Sequence, residues 1–92
     1  MKYEVVGVER KVGDFNPQDK PGTVYHYDNI NLHCLKKNSK VHGYEVQTVK
    51  IKTEDAADLI ADAGGEVNSL VGHVFDFEFT RFGKVSAYEM VK

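Results

Sequence analysis

TVYHYDNINLHCL at residues 23–35, KKNSK at 36–40 and VHGYEVQTVKIK at 41–52 decide how this chain folds. Successive side chains of a strand point to opposite faces, so a half-buried strand alternates apolar and polar residues. In the first run Ile30, Leu32 and Cys34 share one parity, and Tyr25 and Tyr27 share the other. The spacing predicts a strand with a core face and a wet face, and it puts two aromatic rings on the wet one. Asn38 and Ser39 tolerate a tight turn, and the flanking lysines keep its tip in water. The two runs therefore read as the second and third strands of a sheet.

Working outward, residues 2–12, KYEVVGVERKV, are rich in valine and read as a first strand. Gly7 lies inside it, where a glycine marks a bulge or a sharp bend. GDFNPQDKPG at 13–22 has loop chemistry, and Phe15 within it reads either as an apolar anchor in the core, which is the expectation, or as an exposed stacking ring. On the other side, TEDAADLIADAGG at 53–65 predicts a short helix. Thr53 is its N-cap, Glu54 and Asp55 complement the helix dipole, and Gly64-Gly65 stop it. Ala56, Leu59, Ile60 and Ala63 fall on one face at helical spacing, and Asp55, Asp58 and Asp62 form a solvated acidic side. LVGHVFDFEF at 70–79 alternates Phe75, Phe77 and Phe79 with acids, as a strand lining the core does. A hairpin at TRFGK and a closing strand VSAYEMVK complete the chain.

The chain has 92 residues, enough for one domain with a modest core, so any site is expected on a surface groove. The apolar and charged fractions are those of a folded globular protein. No apolar run approaches a bilayer span, and the first residues, MKYEVVGVERK, lack the pattern of a secretory signal, so a cytoplasmic location is expected. Cys34 is the single cysteine, which excludes an internal disulfide, and its apolar parity makes it a small core residue. The four histidines have no metal-ligand spacing, and no nucleophile–base or carboxylate pair is usefully spaced. Neither a metal, a cofactor nor an enzymatic activity is expected.

Charge is segregated along the chain. The formal net charge is −2, and setting aside the five acids of residues 53–66 leaves the rest at +3. Lys36, Lys37 and Lys40 at the turn, with Tyr44, Lys50 and Lys52 on the return strand, face a single acid, Glu45. Cations interleaved with exposed rings suit single-stranded nucleic acid, since lysines track phosphates and rings stack on unpaired bases. The competing reading is a sheet with two snorkelling tyrosines and a soluble turn. Asn29 and Asn31 share the tyrosine parity, where amides can bond base edges. Arg81, Phe82 and Lys84 crowd the last hairpin, where a phenylalanine has little to pack on and is expected to stack on a base or dock on a second subunit.

Five strands with one short helix between the third and fourth is the order of the OB-fold, a Greek-key barrel that binds oligonucleotides on its strand 2–3 face and through its first and last loops. The rings and cations fall at those places. GTVYHYDNINLHC, VKIKTED and HVFDFEFTRFGKVSAYEMV resemble the small single-stranded-DNA-binding proteins of filamentous phages and related mobile elements. That resemblance implies a binding role for Tyr25 and a hairpin role for Phe82. The expected function is non-enzymatic, largely sequence-tolerant coating of single-stranded DNA in phage or plasmid replication, transfer or recombination. The expected interface comprises Tyr25, Tyr27, Asn29, Lys36, Lys37, Lys40, Tyr44, Lys50, Arg81, Phe82 and Lys84. A homodimer or larger assembly is expected through Phe82 and through the closing strand, whose Val85, Ala87 and Val91 share a parity. A protein-interaction module and an RNA-binding OB domain are the alternatives.

Overall fold

The computed structural model describes residues 1–91. Five antiparallel strands, β1 (Lys2–Phe15), β2 (Tyr25–Lys37), β3 (Tyr44–Lys52), β4 (Val74–Phe79) and β5 (Val85–Val91), form one sheet in the order β3-β2-β1-β4-β5. A short helix, α1 (Ala57–Ala63), and a 3-10 turn at Val67–Leu70 separate β3 from β4. β3 and β5 are the edges of the sheet and do not pair with each other, so the sheet is open. Among the described residues no helix is long and apolar enough to cross a membrane.

β1 serves both halves of the sheet. Its first residues pair with β4, Tyr3 opposite Phe75, and from Glu4 onward it pairs with β2 as far as Phe15 opposite Tyr25. The register slips between Val5 and Gly7, which leaves Val6 as the extra residue of a bulge, as the glycine in this strand predicts. The slip resets the parity. Tyr3 and Val5 face the core before it, and Val8 and Arg10 share the Leu32 and Ile30 side after it. Glu9, Lys11, Gly13 and Phe15 are thereby turned to the opposite face.

The core lies between the inner face of the sheet and α1. Val5, Ile30, Leu32, Cys34 and Phe75 are fully buried, and Leu59 and Ala63 of α1, with Ala56 and Leu70, cover them. The rings of Tyr3 and Phe77 pack at 5.6 Å, and Tyr3 meets Phe79 edge-on at 5.8 Å. Tyr88 of β5 packs edge-on against Phe75, and its hydroxyl donates to Asp62 Oδ2 at 2.9 Å, tying α1 to the edge strand. Partial burial, and then this bond, push the Tyr88 phenol up to about 12. Burial raises the Cys34 thiol to about 11, so it is un-ionised and core-packed at neutral pH.

Three local expectations change. The helix starts at Ala57 rather than at Thr53, because Thr53 spends its hydroxyl on Asp28 and residues 53–56 form turns instead. Its stop is as expected: Gly64 has φ 132° and the Gly65 amide donates to the Ile60 carbonyl. Phe15 is not a core anchor, since β1 runs on to it and points it outward. In β5 a second register slip, between Glu78 and Phe79 on the partner strand, puts Val85 on the core side and Ala87 and Val91 on the other, so the three share no face.

Phe77→Ala is expected to destabilise the protein by about 3–5 kcal/mol, the usual cost of emptying a buried phenylalanine site, because Phe77 is 3% exposed and packs on Tyr3. Urea unfolding of the two proteins measures it, and an unchanged midpoint would place Phe77 outside the core.

Candidate nucleic-acid interface

The strand registers assemble the outer face rung by rung. Across β1, β2 and β3, Lys11 lies opposite Asn29 and Asn29 opposite Lys52; one rung further, Glu9, Asn31 and Lys50 align. Gly7, His33 and Thr48 form the next rung, followed on β2 and β3 by Leu35 with Val46 and Lys37 with Tyr44. In the other direction β3 has ended, and Gly13–Tyr27 and Phe15–Tyr25 belong to β1 and β2 alone. The ring-bearing rungs therefore sit on a two-stranded arm that projects past the third strand.

The sequence reasons for this arm are local. Inward-facing Ile30 is the last buried apolar residue toward its tip; beyond it the inner face of β2 turns polar, with Asp28 and then His26. Asp28 closes the base of the arm. Arg10 donates to both of its carboxylate oxygens, at 2.9 and 2.6 Å, and the Thr53 hydroxyl donates to Oδ1 at 2.6 Å. The Thr53 amide donates to the Asp28 carbonyl as well. These bonds, Arg10 first and Thr53 second, hold the carboxyl down at about 2. Further out, His26 and Asp14 contact each other across the inner side of the arm.

On the outer side the arm is held by rings. Phe15 and Tyr25 stack with centroids 5.4 Å apart and planes 28° from parallel, yet remain 56% and 42% exposed. Tyr27 leans across to β1: a Cβ built on Gly13 would lie 2.4 Å from its hydroxyl oxygen. Glycine is therefore required opposite Tyr27 for the ring to lie over the strand, the aromatic covering of a glycine that sheets use elsewhere. His33 covers Gly7 in the same manner, less tightly.

Electrostatically the face favours anions. Lys11, Lys37, Lys50 and Lys52 stand on the outer face of β1–β3 against Glu4 and Glu9, and Glu9 is engaged by Lys11 at 3.7 Å and His33 at 3.4 Å. Asn31 Oδ1, an acceptor that contributes nothing to this field, is buried without a hydrogen-bond partner between Glu9 and Lys50. The acids of α1 lie on the core side of the sheet, away from this face, and Asp58 and Asp62 are exposed.

The expected residues do not all converge. Tyr25, Tyr27, Asn29, Lys37, Tyr44 and Lys50 share the outer face. Lys40 lies in the β2–β3 turn beyond it, where its amide donates to Asn38 Oδ1. Lys36 is separated from them: its ammonium lies 5.5 Å from the centre of the Tyr3 ring and 3.8 Å from Glu45, on the core side. Its even parity, shared with Cys34, carries that signal. Arg81, Phe82 and Lys84 occupy the β4–β5 hairpin, with the Arg81 guanidinium 4.9 Å over the Phe82 ring and Phe82 77% exposed. Phe82 and Lys84 border an open cleft of about 1360 Å³ whose lining is largely inner-side, with His26, Asp28, Ile51 and Leu59 as well as Tyr27, Asn29 and Lys50, so the last hairpin opens onto the core side of the arm and not onto the outer face. Asp14, Glu54 and Asp55 also line it, making the cleft mixed in charge where the outer face is basic. Lys11 and Lys52 lie on this face outside the expected interface, and Phe15, expected first as a core anchor, takes its alternative place as an exposed ring; the alternation of 9, 11, 13 and 15 after the bulge is the signal for Lys11 and Phe15. Among the described residues no group of three or more His, Cys, Asp or Glu is placed to hold a metal ion.

Among known proteins, no family model, no curated sequence and no solved structure matches this chain.

The Asp28 network makes a pH prediction. Its folded value of about 2 lies below the ordinary 3.9 or so of an unfolded aspartate, so the network adds stability above pH about 4 and loses it as pH falls toward 2. Asp28→Asn is expected to be less stable than the parent at pH 6, with the gap shrinking through pH 4 to 2. Paired unfolding curves across that range measure it. A gap that is constant with pH would show that the ionised carboxylate contributes nothing.

Proposed function

We propose that this protein binds single-stranded DNA without catalysis and with little sequence preference, on the outer face of β1, β2 and β3. The observation that carries this reading is the rung order of that face: exposed rings on the arm, then Lys11 and Lys52 flanking Asn29, then Lys50 beside Asn31. Rings on a sheet stack with any base, and lysines spread along the strands track phosphates, a combination tolerant of sequence. Coating of unpaired strands in phage or plasmid replication, transfer or recombination, in the cytoplasm, rests on the sequence resemblance alone.

The same reading takes the sheet as OB-type. The strand order β3-β2-β1-β4-β5 with a helix after β3 is that of the partly open five-stranded barrel with its seam left between β3 and β5. The face, the β1–β2 loop and the β4–β5 hairpin are then the positions at which such barrels hold oligonucleotides.

Assembly belongs to the proposal. With few cations on the face, one copy holds a strand weakly, and adjacent copies in contact raise the effective concentration. Phe82 is the most exposed of the large apolar side chains, and the free edge of β5 carries no lysine or proline to discourage pairing. The same free edges favour a second reading, a protein-interaction module that takes its partner along β3 or β5.

Anisotropy titrations against single-stranded DNA, double-stranded DNA and RNA, at several salt concentrations, test the leading reading. Tyr25→Ala and Tyr27→Ala are each expected to weaken single-strand binding by about 1–3 kcal/mol with little change in melting temperature. No binding even at low salt would leave the protein-interaction reading standing. Sedimentation, with isotherms on short and long oligonucleotides, tests assembly. Phe82→Ala is expected to reduce association or cooperativity more than stability, and a strict monomer with equal affinity per site on both lengths would remove the assembly.

A further inference from the structure

We infer that Phe15, Tyr25 and Tyr27, laid out by Gly13, form a two-step stacking platform for consecutive unpaired bases, so that the arm reads bases while the lysines beyond it hold the phosphate chain. This rests on the reading of the outer face as a single-strand site and names the part of the ligand each region takes.

Three observations lead there. Phe15 and Tyr25 are stacked on each other, yet each leaves around half of its surface to solvent. A ring pair whose only task was to staple the arm would gain most by burial, and the arm offers none, since neither β3 nor α1 reaches these rungs. Next, the two ring-bearing rungs are two residues apart along the strands, about 7 Å. That is twice the rise of about 3.4 Å between stacked bases of a duplex strand, so bases drawn apart in an extended single strand meet successive rungs, whereas paired bases keep their own spacing. Finally, Gly13 is the residue that gives Tyr27 its place: any Cβ there collides with the phenol. Lys11 and Lys52 flank the next rung, at Asn29, and continue the path with positive charge.

The experiment compares two probes of equal length and equal phosphate charge, a fluorescent oligothymidylate and its abasic counterpart. The parent chain is expected to prefer the oligothymidylate. Phe15→Leu, which keeps apolar packing and removes the ring, is expected to weaken oligothymidylate binding by about five- to a hundredfold and to leave abasic binding unchanged. Phe15→Tyr is expected to retain the parent affinity, and Gly13→Val, which displaces Tyr27, to lose it for the base-bearing probe alone. Melting curves identify any variant that does not fold, and Phe15→Leu, at a solvent-facing position, is the deciding one. If the parent binds the oligothymidylate and Phe15→Leu binds it equally well, the platform is overturned and the single-strand reading stands. Equal parent affinity for both probes overturns the platform and leaves a phosphate-only site. A parent that binds neither probe overturns the platform together with the function it rests on.

Discussion

The bulge at Val6 is the constraint on which the outer face depends. A strand that kept its alternation from Tyr3 onward would send Glu9 toward the core, where an unpaired buried charge is costly, and would turn Lys11 and Phe15 to the inner side of the arm. One extra residue reverses the parity, so the same strand supplies Tyr3 and Val5 to the core beside β4 and Lys11, Gly13 and Phe15 to solvent beside β2. Gly7 follows the bulge directly and accepts the His33 ring above it, which keeps the two strands in register as the sheet turns. The face is therefore a consequence of one backbone irregularity rather than of a separate binding element.

The Arg10–Asp28–Thr53 network does for the inner side what the bulge does for the outer. Past Ile30 the helix no longer covers the sheet, and an apolar inner face there would be exposed. A bidentate guanidinium–carboxylate pair instead joins β1 to β2, and Thr53 joins both to the end of β3. This ends the core, begins the arm and takes away the hydroxyl that would have capped the helix. Two-stranded ribbons are marginal by themselves, so an arm built beyond that point needs its own cross-strand contacts. The Phe15–Tyr25 stack and the His26–Asp14 contact supply one on each side.

Much of this was legible in the sequence wherever a residue pattern has one physical solution. Ile30, Leu32 and Cys34 alternate without interruption and are buried; Phe75 and Phe77 alternate with acids and are buried; Gly64-Gly65 ends the helix. The misreadings come where a tertiary partner outbids local preference. Thr53 is a good cap in isolation, and Asp28, distant in sequence, claims it. Phe15 lies among prolines, glycines and aspartates that read as loop, and only its pairing with Tyr25 extends the strand to it. Lys36 reads as part of a basic turn, but strand parity turns it over Tyr3. That β3 and β5 stay unpaired was not legible, because strand order alone does not say how far a sheet curls.

The division of labour on the outer face follows from how little charge the chain has to spend there. Four lysines, Lys11, Lys37, Lys50 and Lys52, against Glu4 and Glu9 give a shallow field, and exposed charges separated by more than about 10 Å are largely screened at ordinary salt. Stacking on an aromatic ring is insensitive to that screening and is available to every base. On the proposed reading, a face that puts its rings on a projecting arm and its lysines on the three-stranded part keeps its short-range, salt-resistant contacts where a flexible strand can drape over them. Its long-range attraction sits where the backbone is held most firmly. The acidic helix faces the other way, so the net negative charge of the whole chain, −2, is compatible with an anion-attracting face.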